Sequence, residues 1–410
     1  MKQGWEIKKL GEVCEINLGK TPPRSDARMW DKERQSKNIW LSIADLNSAE
    51  GGYVNDSKEY ISDEAKQNIK IVKKGTLLLS FKLTLGKTAF AGTDLYTNEA
   101  IAALPFKDKS LNKFFLKYYF ESFDWQKFAS GDEKVLGKTL NKKKLDIIPI
   151  PVPSLLEQGR IVEVLDAAFA KIDALKENAQ KNLENAKALF QQVLKQELTP
   201  KPNWQTKKLS EVCETITDFV AAGSFAALRE NVKYNSEKDF AQLVRTTDIK
   251  SNFTKGKFVY VSKSAFDFLY RVNLDKQSIV LPNVGVNCGE VYIVNPSQLP
   301  YEHNVLGPNA ILVRSDTESN EFLSYAFKGQ EFQKSLLGII NSIAQPKFNK
   351  TSLKKLLVCL PDKAEQNLIV KKLHSVEQMC SQIEANAEKT IAECDALKQA
   401  VLRRAFNGEL

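Results

Sequence analysis

The sequence predicts an α/β (α+β) chain: two tandem domains of short strands and helices, separated by two long helices that pack on one another. Three observations carry this. A seven-residue apolar repeat runs through 154–198, a second copy of that stretch lies 208 positions further on, and the opening of the chain returns at residue 203. The implied segments are 1–154, 155–199, 200–361 and 362–410.

The stretch 154–198 reads as one helix. Leu165, Ile172, Ala179, Ala186 and Val193 recur every seven residues. Ile161, Ala168, Leu175 and Leu189 interleave three residues after them, with Asn182 breaking the series. Two apolar positions per heptad is the pattern of a helix packed on one partner helix. Ser154 and Glu157 form a capping box, and Pro200 blocks continuation. In the second copy Asp362 and Glu365 repeat the cap, and Ile369, Leu373, Ile383, Leu397 and Val401 supply the matching seam. From 157 to 194, 13 of 38 positions match without a gap, including the surface pairs Lys181/Lys389 and Gln191/Gln399. Seam composition alone does not produce surface matches, so the two stretches read as duplicated partners, each roughly 57 Å long at 1.5 Å per residue. The competing reading docks each helix on its own globular neighbour.

The globular segments follow a common order. GWEIKKLGEVCEI at the start returns as NWQTKKLSEVCETI from 203, a repeat of a whole domain plus helix. In the first domain 39–46, 75–81 and 87–92 read as strands, 112–128 as an aromatic-rich helix, and the Pro-rich 145–153 as an edge or exit segment. In the second, 241–249, 257–262, 277–285 and 290–294 read as strands, 321–337 as a helix and 347–361 as the exit. Asn141, Lys142, Leu145 and Pro153 recur at the 208 offset as Asn349, Lys350, Leu353 and Pro361. Between these anchors, 16–140 and 215–347 align only in fragments, which suggests one frame carrying different loops.

The 410 residues suffice for two or three domains with cores. No signal peptide opens the chain and no uncharged apolar run reaches membrane-spanning length, so the expectation is a cytoplasmic protein without a membrane partner. Six dispersed cysteines without a CxxC pair indicate neither disulfides nor zinc. Cys14 and Cys213 hold matching places and read as buried apolar residues. The net charge of +9 is unevenly spread: residues 1–154 carry +6 and 200–361 carry +5, while each helix carries −1. Basic globules on neutral helices suggest that the globules meet a polyanion.

No catalytic or metal-ligating set stands out. Three GKT tripeptides lack the glycine five residues earlier that a phosphate loop requires, and there are only two histidines. What remains is binding chemistry. The proline-stiffened loop 19–30 offers Lys20, Thr21, Arg24 and Arg28; 81–87 offers Lys82, Thr84 and Lys87; Lys134 and Lys138 flank a glycine-bearing loop. In the second domain the candidates are Arg245, Thr246, Asn283, Asn287, Ser342, Gln345 and Lys347. Arg and Lys bond guanine edges, Asn and Gln bond adenine edges, and Lys and Thr suit phosphates. Each residue taken alone also fits a solvated loop.

The repeated LGEV-type opening, GKTPPRS, the run AAGSFAALRENVKY…LVRTTDI, and IPIPVPSLLEQGRIVEVLD with its second copy together resemble the specificity subunits of type I restriction–modification systems. The resemblance covers nearly the whole chain. It implies a target-recognition domain in each half, each reading one half of a bipartite double-stranded DNA site, and helices that form an antiparallel coiled coil, set the unread gap and dock two methyltransferase subunits. It further implies that this chain is non-catalytic and binds no cofactor, with S-adenosylmethionine, ATP and magnesium on the methyltransferase and restriction/translocase partners. A methylation-only or type IIB-like system, an enzyme with an unrecognised nuclease or methyltransferase site, and a scaffold for acidic proteins are the alternatives.

Overall fold

The computed structural model describes residues 5–49, 51–107, 109–130, 133–134, 137–341 and 345–410, with backbone alone at 133–134 and 137–138. The chain folds into two compact units, 1–180 with 388–410, and 181–387. The division falls inside both long helices, Leu155–Glu197 and Lys363–Asn407. It does so because each helix end is buried in the core of the globular domain beside it. Among the described residues no helix is long and apolar enough to cross a membrane.

In the first unit a five-stranded sheet has the order Asn17–Leu18, Ile101–Leu104, Leu77–Ser80, Thr88–Ala91, Tyr53–Val54. A three-stranded sheet places Ile39–Leu41 between Glu59–Tyr60, antiparallel, and Tyr96–Thr97, parallel. The exit segment Pro149–Val152 pairs with Glu6–Lys9 in a two-stranded ribbon, where a proline interrupts no central ladder. Ile161, Val162 and Leu165 of one long helix and Leu402, Ala405 and Phe406 of the other are buried in the same core as the sheet residues Leu77 and Leu79. The Phe406 ring meets Phe115 edge-on at 5.2 Å and Tyr119 at 5.4 Å.

The second unit repeats this frame. Its four-stranded sheet runs Thr215–Asp218, Ala310–Arg314, Ser278–Pro282, Tyr292–Val294. Ala241–Val244 lies between Val259–Val261, antiparallel, and Asn304–Leu306, parallel. Gln205–Lys208 pairs with Leu357–Leu360. Leu194, Ile369 and Leu373 enter the core with Phe322 and Phe327.

Four expected elements are broken where the sequence suggested one continuous element; residues 241–249 form a strand only over Ala241–Val244 and then the helix Thr246–Lys250. Residues 39–46 form a strand only to Leu41, then a 3-10 turn in which Ser42 N–H donates to Asp45 at 2.7 Å. Residues 112–128 form two helices, Lys113–Ser122 and Trp125–Phe128, because Asp124 caps the second through Lys127 N–H at 2.9 Å. Residues 321–337 likewise divide into Asn320–Lys328 and Gln330–Leu337 at the extended Gly329.

Each long helix begins with the expected side-chain cap: Ser154 accepts from Glu157 N–H at 3.3 Å and Asp362 from Glu365 N–H at 2.9 Å. One turn in, a buried glutamine ties the helix to its domain. Gln158 Nε2 donates to the carbonyls of Ser110 and Pro153, both at 2.8 Å, and its Oε1 accepts from Asn112 N–H at 2.7 Å. Gln366 repeats this on Pro361 O at 3.0 Å and Ser319 N–H at 3.1 Å, with Glu318 as the further acceptor.

The helices contact one another within both units. In the first, Lys398 reaches Asp173 and Lys176 reaches Asp395 at 2.6 Å; numbering rises on one helix as it falls on the other, so they are antiparallel. In the second, Lys372 reaches Glu197 at 2.6 Å and Cys380 lies against the backbone of Phe190, again antiparallel.

The seam is narrower than the heptad count implied. Ile161, Leu165, Ile172, Ala179 and Ala186 are buried, as are Ile369, Leu373, Cys380, Ala387 and Cys394; Val193, Ile383 and Val401 are half-buried. Leu175, Leu189 and Leu397 are exposed and do not belong to it, Leu175 by 53%. In the first helix the half-buried flank lies four residues after the buried line, at Phe169, Lys176, Leu183 and Phe190, not three. Two helices joined along one buried line, with one half-buried flank beside it, leave the other flank at the rim, in water. Replacing Leu373 by Ala is therefore expected to cost about 2–5 kcal/mol in urea unfolding of the full chain, and Leu175→Ala no more than about 0.5 kcal/mol.

Candidate nucleic-acid interface

In the first unit the loop 19–30 leaves the edge strand Asn17–Leu18 and crosses the end of the three-stranded sheet. Gly19 passes so close to that sheet that a Cβ would stand 2.2 Å from the carbonyl oxygens of Thr97 and Asn98. Lys20 N–H donates to Thr97 O at 2.8 Å, and its carbonyl accepts from Trp40 Nε1 at 3.0 Å, leaving its side chain exposed. Thr21 Oγ1 donates to Glu99. Burial would raise the Glu99 carboxyl, but the Thr21 hydrogen bond and the nearby charges of Lys82 and Arg24 outweigh it, and it sits below the usual range.

Loop 81–87 lies alongside. Lys82 is bridged to Thr139 through the backbone, Thr84 O accepts from Ser80 Oγ at 2.5 Å, and Lys87 Nζ donates to Asn47 at 2.6 Å. The fold thus brings Thr21, Arg24 and Lys82 around Glu99, with Thr84 and Lys87 on the same loop as Lys82. The side chains of Lys134 and Lys138 lie outside the described residues.

The two arginines of this loop are paired with carboxylates. Arg24 grips Glu59 through both guanidinium nitrogens, the longer contact being 3.0 Å, and stacks 4.0 Å over Trp30 and 4.9 Å over Trp40. Arg28 pairs with Asp26 at 2.8 and 3.1 Å. Both pairs are exposed, so an incoming anion displaces the carboxylate cheaply.

Arg245 is held more firmly. Its guanidinium bonds Asp248 at 2.7 and 3.0 Å and Lys257 O at 2.8 Å, and Asp248 is buried. Removing the arginine would strand a buried carboxylate, so Arg245 serves the fold at the start of the helix Thr246–Lys250. Thr246 is half-buried in that first turn.

The remaining candidates of the second unit converge. Asn283 N–H bonds Asn309 O at 3.0 Å and its amide donates to Phe348 O at 3.0 Å. Gly285 N–H bonds Pro346 O at 2.9 Å, while Lys347 bridges both Val284 and Asn341. Asn283, Gln345 and Lys347 therefore share one loop cluster, with the last two exposed. Asn287 Oδ1 accepts from Lys250 Nζ at 2.9 Å, which also pairs with Glu290 at 2.6 Å. Ser342 lies outside the described residues.

Sequence reasoning missed Lys250 and every acidic partner: Glu59, Glu99, Asp26, Glu290. Arg24 and Glu59 lie 35 positions apart and Lys250 and Glu290 lie 40 apart, beyond any local pattern, while Asp26 is only two residues from Arg28. The duplicated cysteines are buried in both units, and burial pushes the Cys14 and Cys213 thiols up to about 12.

Two copies of one α/β unit, each closing on the ends of an antiparallel helix pair and presenting a polar loop cluster, define a duplicated recognition architecture. The family described as Type I restriction modification DNA specificity domain matches residues 2–185 and again 201–393, and the chain belongs to that family. It is 23% identical to the type I restriction enzyme MjaIX specificity subunit of Methanocaldococcus jannaschii, over 99% of this chain and 93% of that one. It is 21% identical to the EcoBI specificity subunit of Escherichia coli, over 76% and 69%. Among solved structures, a chain from a type I R-M system, described by its complex assembly and conformational transition, superposes with TM-score 0.75 at 18% identity, covering 100% of this chain and 99% of that one. The HsdS subunit from Thermoanaerobacter tengcongensis gives TM-score 0.54 at 19% identity, over 100% and 98%.

The Arg24–Glu59 pair yields a direct test. Glu59→Gln removes a negative charge and releases the guanidinium. Duplex-DNA affinity is expected to rise several-fold, with the log–log salt slope steeper by about 0.9; titrations at stepped salt concentrations measure both.

Proposed function

We propose that this chain is the non-catalytic DNA-recognition subunit of a type I restriction–modification complex. The single observation that carries the reading is the duplication itself: one order of four sheet strands, one ribbon and one glutamine clamp occur in each unit, while the loops between them differ. A shared frame with different loops suits two readers of unlike sequence. Each unit reads one half of a bipartite, asymmetric double-stranded DNA site. Phosphate contacts by exposed lysines such as Lys20 and Lys347 set position, and Asn, Gln and Lys side chains on the loop clusters read base edges.

The paired helices serve as the spacer that fixes how many base pairs go unread between the half-sites, as rigid dimers fix half-site separation. They also dock two methyltransferase subunits, beside which the restriction/translocase subunits complete the assembly. S-adenosylmethionine, ATP and magnesium belong to those partners, and the complex works in the cytoplasm. Membership in the specificity-domain family and the similarity to named specificity subunits support this assignment.

Two experiments test the division of labour. Inserting one heptad in both helices, after Lys181 and Lys389, should change the gap seen by methylome sequencing and leave both half-sites intact; an unchanged gap defeats the spacer. Replacing 16–140 with the same segment of another specificity subunit should alter one half-site only. Changes in both half-sites would show that the readers are not independent.

A further inference from the structure

Two aliphatic residues outside the expected contacts stand at the tips of matched loops. Loop 81–87 follows the strand Leu77–Ser80, and 283–291 follows Ser278–Pro282; each strand lies between the equivalent neighbours of its sheet. Each loop is pinned by a backbone bridge to the segment leading into its exit, Lys82 to Thr139 and Val284 to Lys347. At the tips, Leu83 is 56% exposed and Val286 is 95% exposed. Leu83 is held at φ +62°, a conformation that side-chain-bearing L residues avoid. Isolated exposed aliphatics are ordinary. An exposed aliphatic residue one or two positions past the bridge on the equivalent loop of two diverged domains, once on a strained backbone, is not explained by chance exposure.

The surroundings say what such a tip meets. Lys82, Thr84 and Lys87 share the first loop, and Asn283 and Asn287 share the second. These are groups suited to phosphates and base edges. The one apolar feature on the major-groove edge of duplex DNA is the 5-methyl group of thymine. Resting on the two-half-site reading above, we propose that Leu83 and Val286 are specificity-determining residues, each packing on a thymine 5-methyl group in the half-site read by its own unit. The polar neighbours then report donors and acceptors, while the aliphatic tip separates thymine from cytosine by shape and apolar contact.

The test uses the chain assembled with the methyltransferase subunits of its own system, on duplexes carrying the methylome-defined site. Thymines are replaced one at a time by deoxyuridine, which lacks only the methyl group. The wild-type complex is expected to lose about fourfold in affinity, the worth of one buried methyl group, at one position in each half-site. Leu83→Ala should erase the loss in one half-site and Val286→Ala in the other. The proposal is overturned if no deoxyuridine substitution weakens binding, if neither half-site contains thymine, or if the variants bind more weakly yet still distinguish thymine from deoxyuridine. A scrambled duplex titrated in parallel isolates the underlying reading: failure of the wild type to prefer its own site would refute sequence recognition itself, whatever the tips do.

Discussion

The structure depends on a buried amide at the root of each long helix. Gln158 and Gln366 are almost fully buried, and each satisfies backbone groups of its aromatic helix's lead-in and of the exit strand. A buried polar group with every partner in place fixes one geometry, because any other leaves donors or acceptors unpaired at about 1–3 kcal/mol each. The helix thus leaves its domain in one direction. Apolar burial of Ile161 and Leu165, or of Ile369 and Leu373, supplies the stability but would tolerate more than one angle.

From that root the rest of each unit follows. The exit strand is held by the ribbon to the chain's repeated opening, so the strand and the root of the helix are tied to the sheet core. The loops at the far ends of the strands carry none of this burden and are free to differ. That separation explains how a duplicated frame diverges in its loops while Asn141 and Asn349, at the same offset, still cap their helices through Lys144 N–H at 3.0 Å and Ser352 N–H at 2.8 Å.

Legibility of the sequence tracked the range of the interactions. Helix starts, the heptad seam and the repeated opening and exit segments were readable because caps, heptads and repeats are local signals. Leu175, Leu189 and Leu397 misled because a heptad count assigns two flanks where a two-helix contact buries one. Helix breaks were missed although Asp124 and Gly329 mark them, since the apolar pattern runs across both. Some loop residues far apart in sequence do meet in the fold: Thr21 bonds Glu99 beside Lys82, and Asn283 meets the Lys347 loop. The roles of individual arginines were not readable, because Glu59 is 35 residues from Arg24 and the burial of Asp248 is a property of the folded core.

The sequence by itself determined the duplication, the two helices and the basic character of the two globules, because periodicity and charge are summed along the chain. Tertiary structure alone decided which cations face solvent and which are bound to carboxylates, and which apolar residues lie in a seam or stand at loop tips. Those outcomes depend on what the fold places within about 3 Å of a side chain, the range of a hydrogen bond, and no one-dimensional pattern carries that distance.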